Sequence, residues 1–548
     1  MLGNSLQELL FIRLCIVLLQ YGSPILLAGL TAAAATGGWD ALRHPASEIA
    51  IGYVLLDTLY LVFLWIPYNR RLRDEADHPP PLSTEDRRAL FLRCDENVPD
   101  FDRYLRLWFL GADPAEIRRD NVRDFVLWAF FDRRPGAESE DEAAECTGYL
   151  DIIEQRLGHE LKPGRGSAQS LRLTFDAIET RYRSFIWYIL IGIVDIGTHV
   201  QLAWRGFEYH ALAAAKFANV LPPRMQSLFA RNRSKSGELS YWHRAHTAGP
   251  DKKPIVFLHG IGVGLWTYAS FLSDLGKNVG GDGQIGIIAL EIMPVSFRLT
   301  AAPLGKLDFL DEMERVLAAH GWDQFVLITH SYGSALATHM LHSDEFSARV
   351  DSVVLIDPVT ILLHNPDVAY NFTRRRPRGA NEWQLWYFAS TDPGTAHTLG
   401  RHFHWKQNII WKEELVKKKA PKTNGKLGAN VVSGTNGTAK TNGVVSHGGR
   451  TSQRNVAVCL AGRDLIVDTL SVAQYLAGNE HWLPTLRDSD QAKADDALDH
   501  VEKSAGYGHL EKDGIELLWF DGLDHAQVFD DRKHYDKVKG VIHRYCSK

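Results

Sequence analysis

Hydrophobic positions fall into two regimes along this chain. Up to about residue 70 they run almost unbroken. Leu14–Ala35 holds no charge and is long enough to cross ~30 Å of hydrocarbon at 1.5 Å per residue. Gln20, Gly22 and Pro24 interrupt it, and membrane helices tolerate such residues. Ile49–Pro67 follows, with Asp57 as its only charge. A cleaved signal peptide is the competing reading of the first run, but the run is long and a second one follows it. Trp65 and Tyr68 sit where an interfacial belt would lie, and Arg70, Arg71 and Arg73 come next. The positive-inside rule places that basic end in the cytosol, so the two runs form a hairpin with both ends cytosolic. A third run, Phe185–Trp204, carries Asp195 and His199. It reads equally as a third crossing or as an interfacial or core helix, because a carboxylate near the middle of a span is costly.

Between these runs the pattern is amphipathic. Phe101, Tyr104, Leu105, Trp108 and Phe109 recur at helical spacing, as do Phe125, Leu127, Trp128 and Phe131. Such helices pack on one another or lie on a bilayer surface. Glu138–Glu145 reads as an acidic exposed loop.

From Lys253 the period changes. Short apolar runs at Pro254–His259, Ile285–Ile292, Phe325–Thr329, Val353–Ile356, Val456–Leu460 and Ile515–Phe520 alternate with helical patterns. This alternation predicts a mostly parallel sheet with helices on both faces, whose functional groups gather at the carboxyl ends of the strands. Residues 360–415 form an aromatic-rich helical insert with Trp383, Trp386, Tyr387, Phe388, Phe403, Trp405 and Trp411, which predicts a cap over an apolar pocket. Residues 416–454, rich in Lys, Thr, Asn and Gly, predict a disordered loop, and a second polar insert covers Asp488–Asp513. The organisation expected is therefore a transmembrane hairpin region over 1–73, an amphipathic and membrane-associated helical region over 74–250, and an α/β domain over 251–548.

Composition narrows the function classes. Lys+Arg number 61 against Asp+Glu 66, a net charge of -5, which gives no electrostatic case for a nucleic-acid partner. The five cysteines, Cys15, Cys94, Cys146, Cys459 and Cys546, are scattered without a disulfide framework or a metal spacing. His402 and His404 lack a carboxylate or thiol cluster that would make them ligands. Gly260-Ile-Gly-Val-Gly264 is too short for a dinucleotide fingerprint, and no Walker motif is present. No metal or cofactor is expected.

The candidate chemistry lies at strand ends. Ser331, in Thr329-His-Ser-Tyr-Gly333, occupies a strand–turn–helix bend; Asp464 follows the fifth strand in Gly462-Arg-Asp464; His525 follows the sixth in Asp521-Gly-Leu-Asp-His525. A serine hydroxyl needs a base, an acid to orient that base, and donors for an oxyanion. These residues supply the hydroxyl, the base and the acid, and the backbone N–H of Tyr332 with that of Ile261 or Gly262 would supply the donors. Asp357 is a rival for the acid role, Asp524 reads as a loop carboxylate, and His259 and His330 read as structural.

The His-Gly turn at 259–260, the elbow at 329–333, the Gly-Arg-Asp segment and the Asp-His segment together resemble the α/β-hydrolase superfamily, of serine esterase and lipase type. The resemblance covers residues ~253–548. It implies an α/β-hydrolase fold with a helical cap insert, with Ser331 as nucleophile, His525 as base and Asp464 as its partner. Thr329 departs from the pattern, which usually has Gly there. The implied activity is a membrane-anchored serine hydrolase acting on apolar, lipid-like esters, integral to a bilayer through several spans. An acyltransferase using the same site, or a non-catalytic binding protein of this fold, are the alternatives.

Overall fold

The computed structural model describes residues 3–276, 284–418, 453–478 and 507–547. The expected loop over 416–454 and most of the insert over 488–513 lie outside them. Ten strands form one sheet: β1 (Glu208–Ala211), β2 (Asn232–Arg233), β3 (Tyr241–Arg244), β4 (Ile255–Leu258), β5 (Ile287–Leu290), β6 (Phe325–His330), β7 (Val350–Ile356), β8 (Asn455–Ala461), β9 (Tyr507–Lys512) and β10 (Ile515–Phe520). Their spatial order is β2-β1-β3-β5-β4-β6-β7-β8-β10-β9. From β5 to β10 every pairing is parallel, while β3 joins β5 and β9 joins β10 antiparallel.

The parallel strands are the six expected from apolar runs. Both their faces are covered, so every residue of β4, β5, β6 and β10 is buried, and a continuous apolar run is what that position demands. The four other strands escaped the pattern. β1 and β3 read Glu-Tyr-His-Ala and Tyr-Trp-His-Arg, too short and too polar for a buried run. β9 alternates exposed and half-buried positions at the sheet edge. The sheet thus draws in strands that precede residue 251.

The amphipathic helices pack on one another. Phe101–Trp108 and Arg119–Val126 share a core with the 360–415 insert and the upper side of the sheet. Ion pairs Arg103–Asp367 and Lys406–Asp132 and a hydrogen bond from the Trp405 indole to the Ala129 carbonyl (3.0 Å) fasten this N-terminal layer to the insert. The acidic stretch near 140 is not a loop. It is the first turns of helix Glu140–Leu157, where Ser139 caps the Glu142 amide and Glu142 caps Ser139. Carboxylates belong there, against the positive end of the helix dipole.

Among the described residues, three helices are long and apolar enough to cross a membrane: α1 (Leu6–Leu42), α2 (Pro45–Tyr60), which continues to Arg71, and α3 (Phe185–Trp204). α1 and α2 form an antiparallel pair, with Asp57 accepting hydrogen bonds from the Ser23 hydroxyl and the Phe185 amide. α3 is two-faced. Trp187, Tyr188, Ile191, Asp195 and Leu202 are buried against the α/β domain, while Ile189, Ile193, Ile196 and Val200 are exposed. Asp195 is neutralised within the protein: Arg298 lies at 2.8 Å and Arg224 at 3.1 Å, with Glu291 on the far side of Arg224. This is the solution a core or interfacial helix uses for a central carboxylate.

Removing one member of such a buried network leaves the others uncompensated, at a cost of about 3 kcal/mol or more. Asp195→Ala is expected to lower the thermal midpoint of the detergent-solubilised chain by several degrees. An equal change at the exposed Ile193 on the same helix is expected to leave it in place.

Candidate active site

The site is built where β4 and β6 end. Behind β6 the chain turns sharply into α4 (Gly333–His342), and Ser331 takes a left-handed φ of 51° at the tip. A non-glycine residue there is strained and persists only where the surroundings over-determine it. Two glycines let the turn close. A Cβ on Gly333 would sit 2.3 Å from the Leu258 carbonyl oxygen, and one on Gly260 would meet Ser331 Cβ at 2.8 Å. Thr329, where the family pattern usually has Gly, is fully buried as the next-to-last residue of β6, and its hydroxyl has no hydrogen-bond partner among the described residues.

The structure brings the three candidate residues together across the sheet. Ser331 Oγ lies 2.9 Å from His525 Nε2, and His525 Nδ1 lies 2.6 Å from Asp464 Oδ2. The other Asp464 oxygen accepts the amides of Ile466 (2.8 Å) and Val467 (2.9 Å), which fixes the carboxylate. Asp357, the rival acid, holds different partners. It accepts the Ala461 amide at 3.0 Å and the Ala526 amide at 2.9 Å, and so ties the end of β8 to the loop carrying His525. Asp524 does the same one residue earlier, accepting the amides of Leu465 and His525 and the Asn381 side chain.

His259 and His330 are structural. The Ile292 amide donates to His259 Nε2 at 2.9 Å, so Nδ1 carries the proton that meets the Gly260 carbonyl at 2.7 Å. That imidazole pins the turn after β4 to the end of β5. His330 Nδ1 is paired with the Tyr268 hydroxyl at 2.7 Å.

Of the expected oxyanion donors, one is corrected. The Gly262 amide donates to the Val295 carbonyl at 3.1 Å and is therefore spent. The amides of Ile261 and Tyr332 have no protein acceptor among the described residues, and both residues line the cavity that contains Ser331.

That cavity has an empty volume of about 890 Å3. The insert contributes Val368, Phe372 and Phe403 to its wall, as the cap reading expects. Trp108, Trp128, Leu173 and Thr174 come from the N-terminal layer, and sequence reasoning missed them. Amphipathic spacing shows that a helix has a buried face but not what it covers. Lys406 and Asp132, paired at 2.6 Å, form a charged spot on this otherwise apolar wall. A second cavity of about 1080 Å3 adjoins at Tyr332 and Phe403.

Residues 253–441 match the family model described as alpha/beta hydrolase fold. The chain carries an α/β-hydrolase fold. No curated protein sequence matches the chain. Among solved structures, the chain is similar to a bacterial membrane phospholipase A (12% identity, 65% of this chain and 93% of that one, TM-score 0.33). It is similar also to carboxylesterase CesB from Bacillus subtilis (11%, 65% and 98%, TM-score 0.32) and to naproxen esterase from Bacillus subtilis (12%, 65% and 98%, TM-score 0.33).

Electrostatics of the α/β-hydrolase site set the charge of His525. Burial pushes its pKa down, but the Asp464 carboxylate, through charge and hydrogen bond, and the nearby Asp357 and Asp524 more than reverse this and hold it at about 9. Asp357 is itself pushed up to about 7, first by burial and then, against the pull of His525, by the neighbouring Asp464. An imidazole can take the Ser331 proton only when neutral. A raised pKa therefore keeps it protonated as pH falls, and nucleophilicity is gained as pH rises. Labelling of Ser331 by a fluorophosphonate is expected to climb along an acid limb well above the ordinary histidine value of about 6.5. Asp357→Asn removes a negative charge near the ring and is expected to move that limb to lower pH, measured as labelling rate against pH.

Proposed function

We propose that this chain is a membrane-anchored serine hydrolase that cleaves carboxylic esters of lipid type through an acyl-enzyme. The observation carrying this reading is the continuous hydrogen-bonded line from Asp464 through His525 to Ser331 at the mouth of a capped apolar cavity. Ser331 Oγ attacks the ester carbonyl carbon while His525 Nε2 takes its proton. The oxyanion is stabilised by the amides of Tyr332 and Ile261. The imidazolium then returns the proton to the leaving alcohol oxygen. Water, deprotonated by the same imidazole, attacks the acyl carbon, and the tetrahedral intermediate collapses to release the acid and restore Ser331.

The cavity supports an apolar acyl chain as substrate. Its wall is aromatic and aliphatic, and helices from both the insert and the N-terminal layer close it over. Burying such a chain is favourable by ~0.8 kcal/mol per methylene, so selectivity for long esters follows from the wall. Anchoring is supported by α1 and α2, whose outer faces expose Leu10, Phe11, Leu14, Leu55 and Phe63. The proposal includes two spans, α1 and α2, with α3 at the interface and the α/β-hydrolase domain in the cytosol; the pairing of Asp195 with Arg224 and Arg298 supports it.

Ser331→Ala is expected to abolish probe labelling and ester turnover in a lipid ester panel while leaving the thermal midpoint within a few degrees. A wild-type chain that neither labels nor turns over any ester would leave only a binding protein. Free acid as the sole product supports the hydrolase; acyl transfer to an added alcohol in preference to water would make the chain an acyltransferase. Ala369→Trp narrows the cavity and is expected to cut kcat/KM for long-chain esters tenfold or more while sparing acetate esters. Asn232, a glycosylation acceptor by sequence, is expected to stay unmodified in cells. An endoglycosidase-sensitive mass shift at that residue would place the domain in the lumen.

A further inference from the structure

Away from Ser331, one cluster of side chains has no part in ester chemistry. His210 from β1, His243 from β3 and His320 from the end of helix Lys306–His320 each place one ring nitrogen within 4.8 Å of the other two. They lie 33 and 77 positions apart along the chain, so spacing gives no hint of them. β1 and β3 are antiparallel, with His210 opposite Tyr241 and Glu208 opposite His243. The two histidines are thus diagonal neighbours on one face of the sheet.

We propose that His210, His243 and His320 form a binding site for a divalent cation of the zinc class, with three imidazole ligands and a fourth position for water. The outer partners that orient metal-ligating imidazoles are already present. His210 is hydrogen-bonded to the backbone of Arg233, and its Nε2 is buried with no partner. That bond therefore uses Nδ1, and Nε2 is left with its lone pair. His320 has Nε2 on the Tyr241 hydroxyl at 2.9 Å, so Nδ1 is the nitrogen it has to offer. Neutral imidazole, the form that ligates a metal, prevails at pH 7 even at the ordinary histidine pKa of about 6.5. The His243 and His320 rings stack with centroids 3.9 Å apart. Tetrahedral zinc holds ligand nitrogens about 3.3 Å apart, so binding requires these two rings to turn out of their stack. The bound ion would fasten the antiparallel edge of the sheet to the helix that feeds β6, the strand leading to Ser331.

The test uses the full chain, free of any histidine tag, in detergent micelles after chelator treatment. Calorimetric titration with zinc chloride is expected to show one equivalent bound at micromolar affinity or tighter. The thermal midpoint is expected to rise with zinc and not with magnesium. X-ray absorption on the loaded wild type is expected to show three nitrogen ligands at about 2.0–2.1 Å. His210→Ala with His243→Ala, and separately His320→Gln, are each expected to weaken binding at least a hundredfold. No saturable zinc binding to the wild type, a sulfur or all-oxygen coordination shell, or unchanged affinity in both variants would overturn the proposal.

Discussion

Everything at the candidate site depends on how closely two strand ends approach one another. The turn after β4 and the bend after β6 pack with backbone against backbone. A single added carbon at residue 333 would collide with the Leu258 carbonyl, and one at residue 260 would collide with Ser331 itself. This contact holds Ser331 in a left-handed conformation that a serine does not choose freely. The strained φ points the hydroxyl away from the sheet and toward the loop after β10, where His525 waits. It also places the Ile261 and Tyr332 amides on the walls of one cavity. The strain at Ser331, the direction of its hydroxyl and the placing of the two amides are consequences of a single steric arrangement.

The N-terminal layer gives that arrangement its environment. In a bare α/β-hydrolase fold the ends of the strands face solvent. Here the insert alone does not cover them. Trp108 and Trp128 complete the wall from outside the fold, and the layer is fixed in place by directional contacts as well as apolar burial, since Arg103 reaches Asp367 and Lys406 reaches Asp132. Pairs of this kind, partly exposed at Arg103 and buried at Lys406, add little net stability but specify one mode of docking. The same logic recurs at α3, where Asp195 with Arg224 and Arg298 fixes which face of an otherwise apolar helix turns inward. The face turned outward is apolar as well, so the ion pair decides an orientation that hydrophobicity alone would leave open.

What the sequence made legible follows from which interactions are local. The six parallel strands declare themselves because a doubly covered strand must be apolar throughout. Ser331, Asp464 and His525 are legible because each directly follows such a strand. The short strands β1 and β3 and the edge strand β9 are not, because their pairing is supplied by neighbours and their composition is mixed. Gly262 illustrates the limit at the site: it has the right residue type in the right turn, yet its amide is taken by Val295, more than thirty positions away. The helix from Glu140 was hidden by its own acidity, although Ser139 and Glu142 form the reciprocal cap that marks a helix start.

The ring of carboxylates around His525 shows why three acids are kept where one hydrogen bond suffices. Only Asp464 touches the imidazole. Asp357 and Asp524 spend their oxygens on backbone amides at the ends of β8 and β10, and this is what holds the His525 loop over Ser331. Their structural role has an electrostatic consequence, because negative charge near a buried imidazole favours its protonated form. That form is the one a transferred serine proton creates. A site that binds imidazolium well eases the moment of attack and slows the recovery of the free base at low pH. Asp357 tempers this balance: burial and Asp464 hold its own pKa near neutrality, so it sheds negative charge as the surroundings acidify. The framework that positions the base therefore also sets the pH range in which it can act.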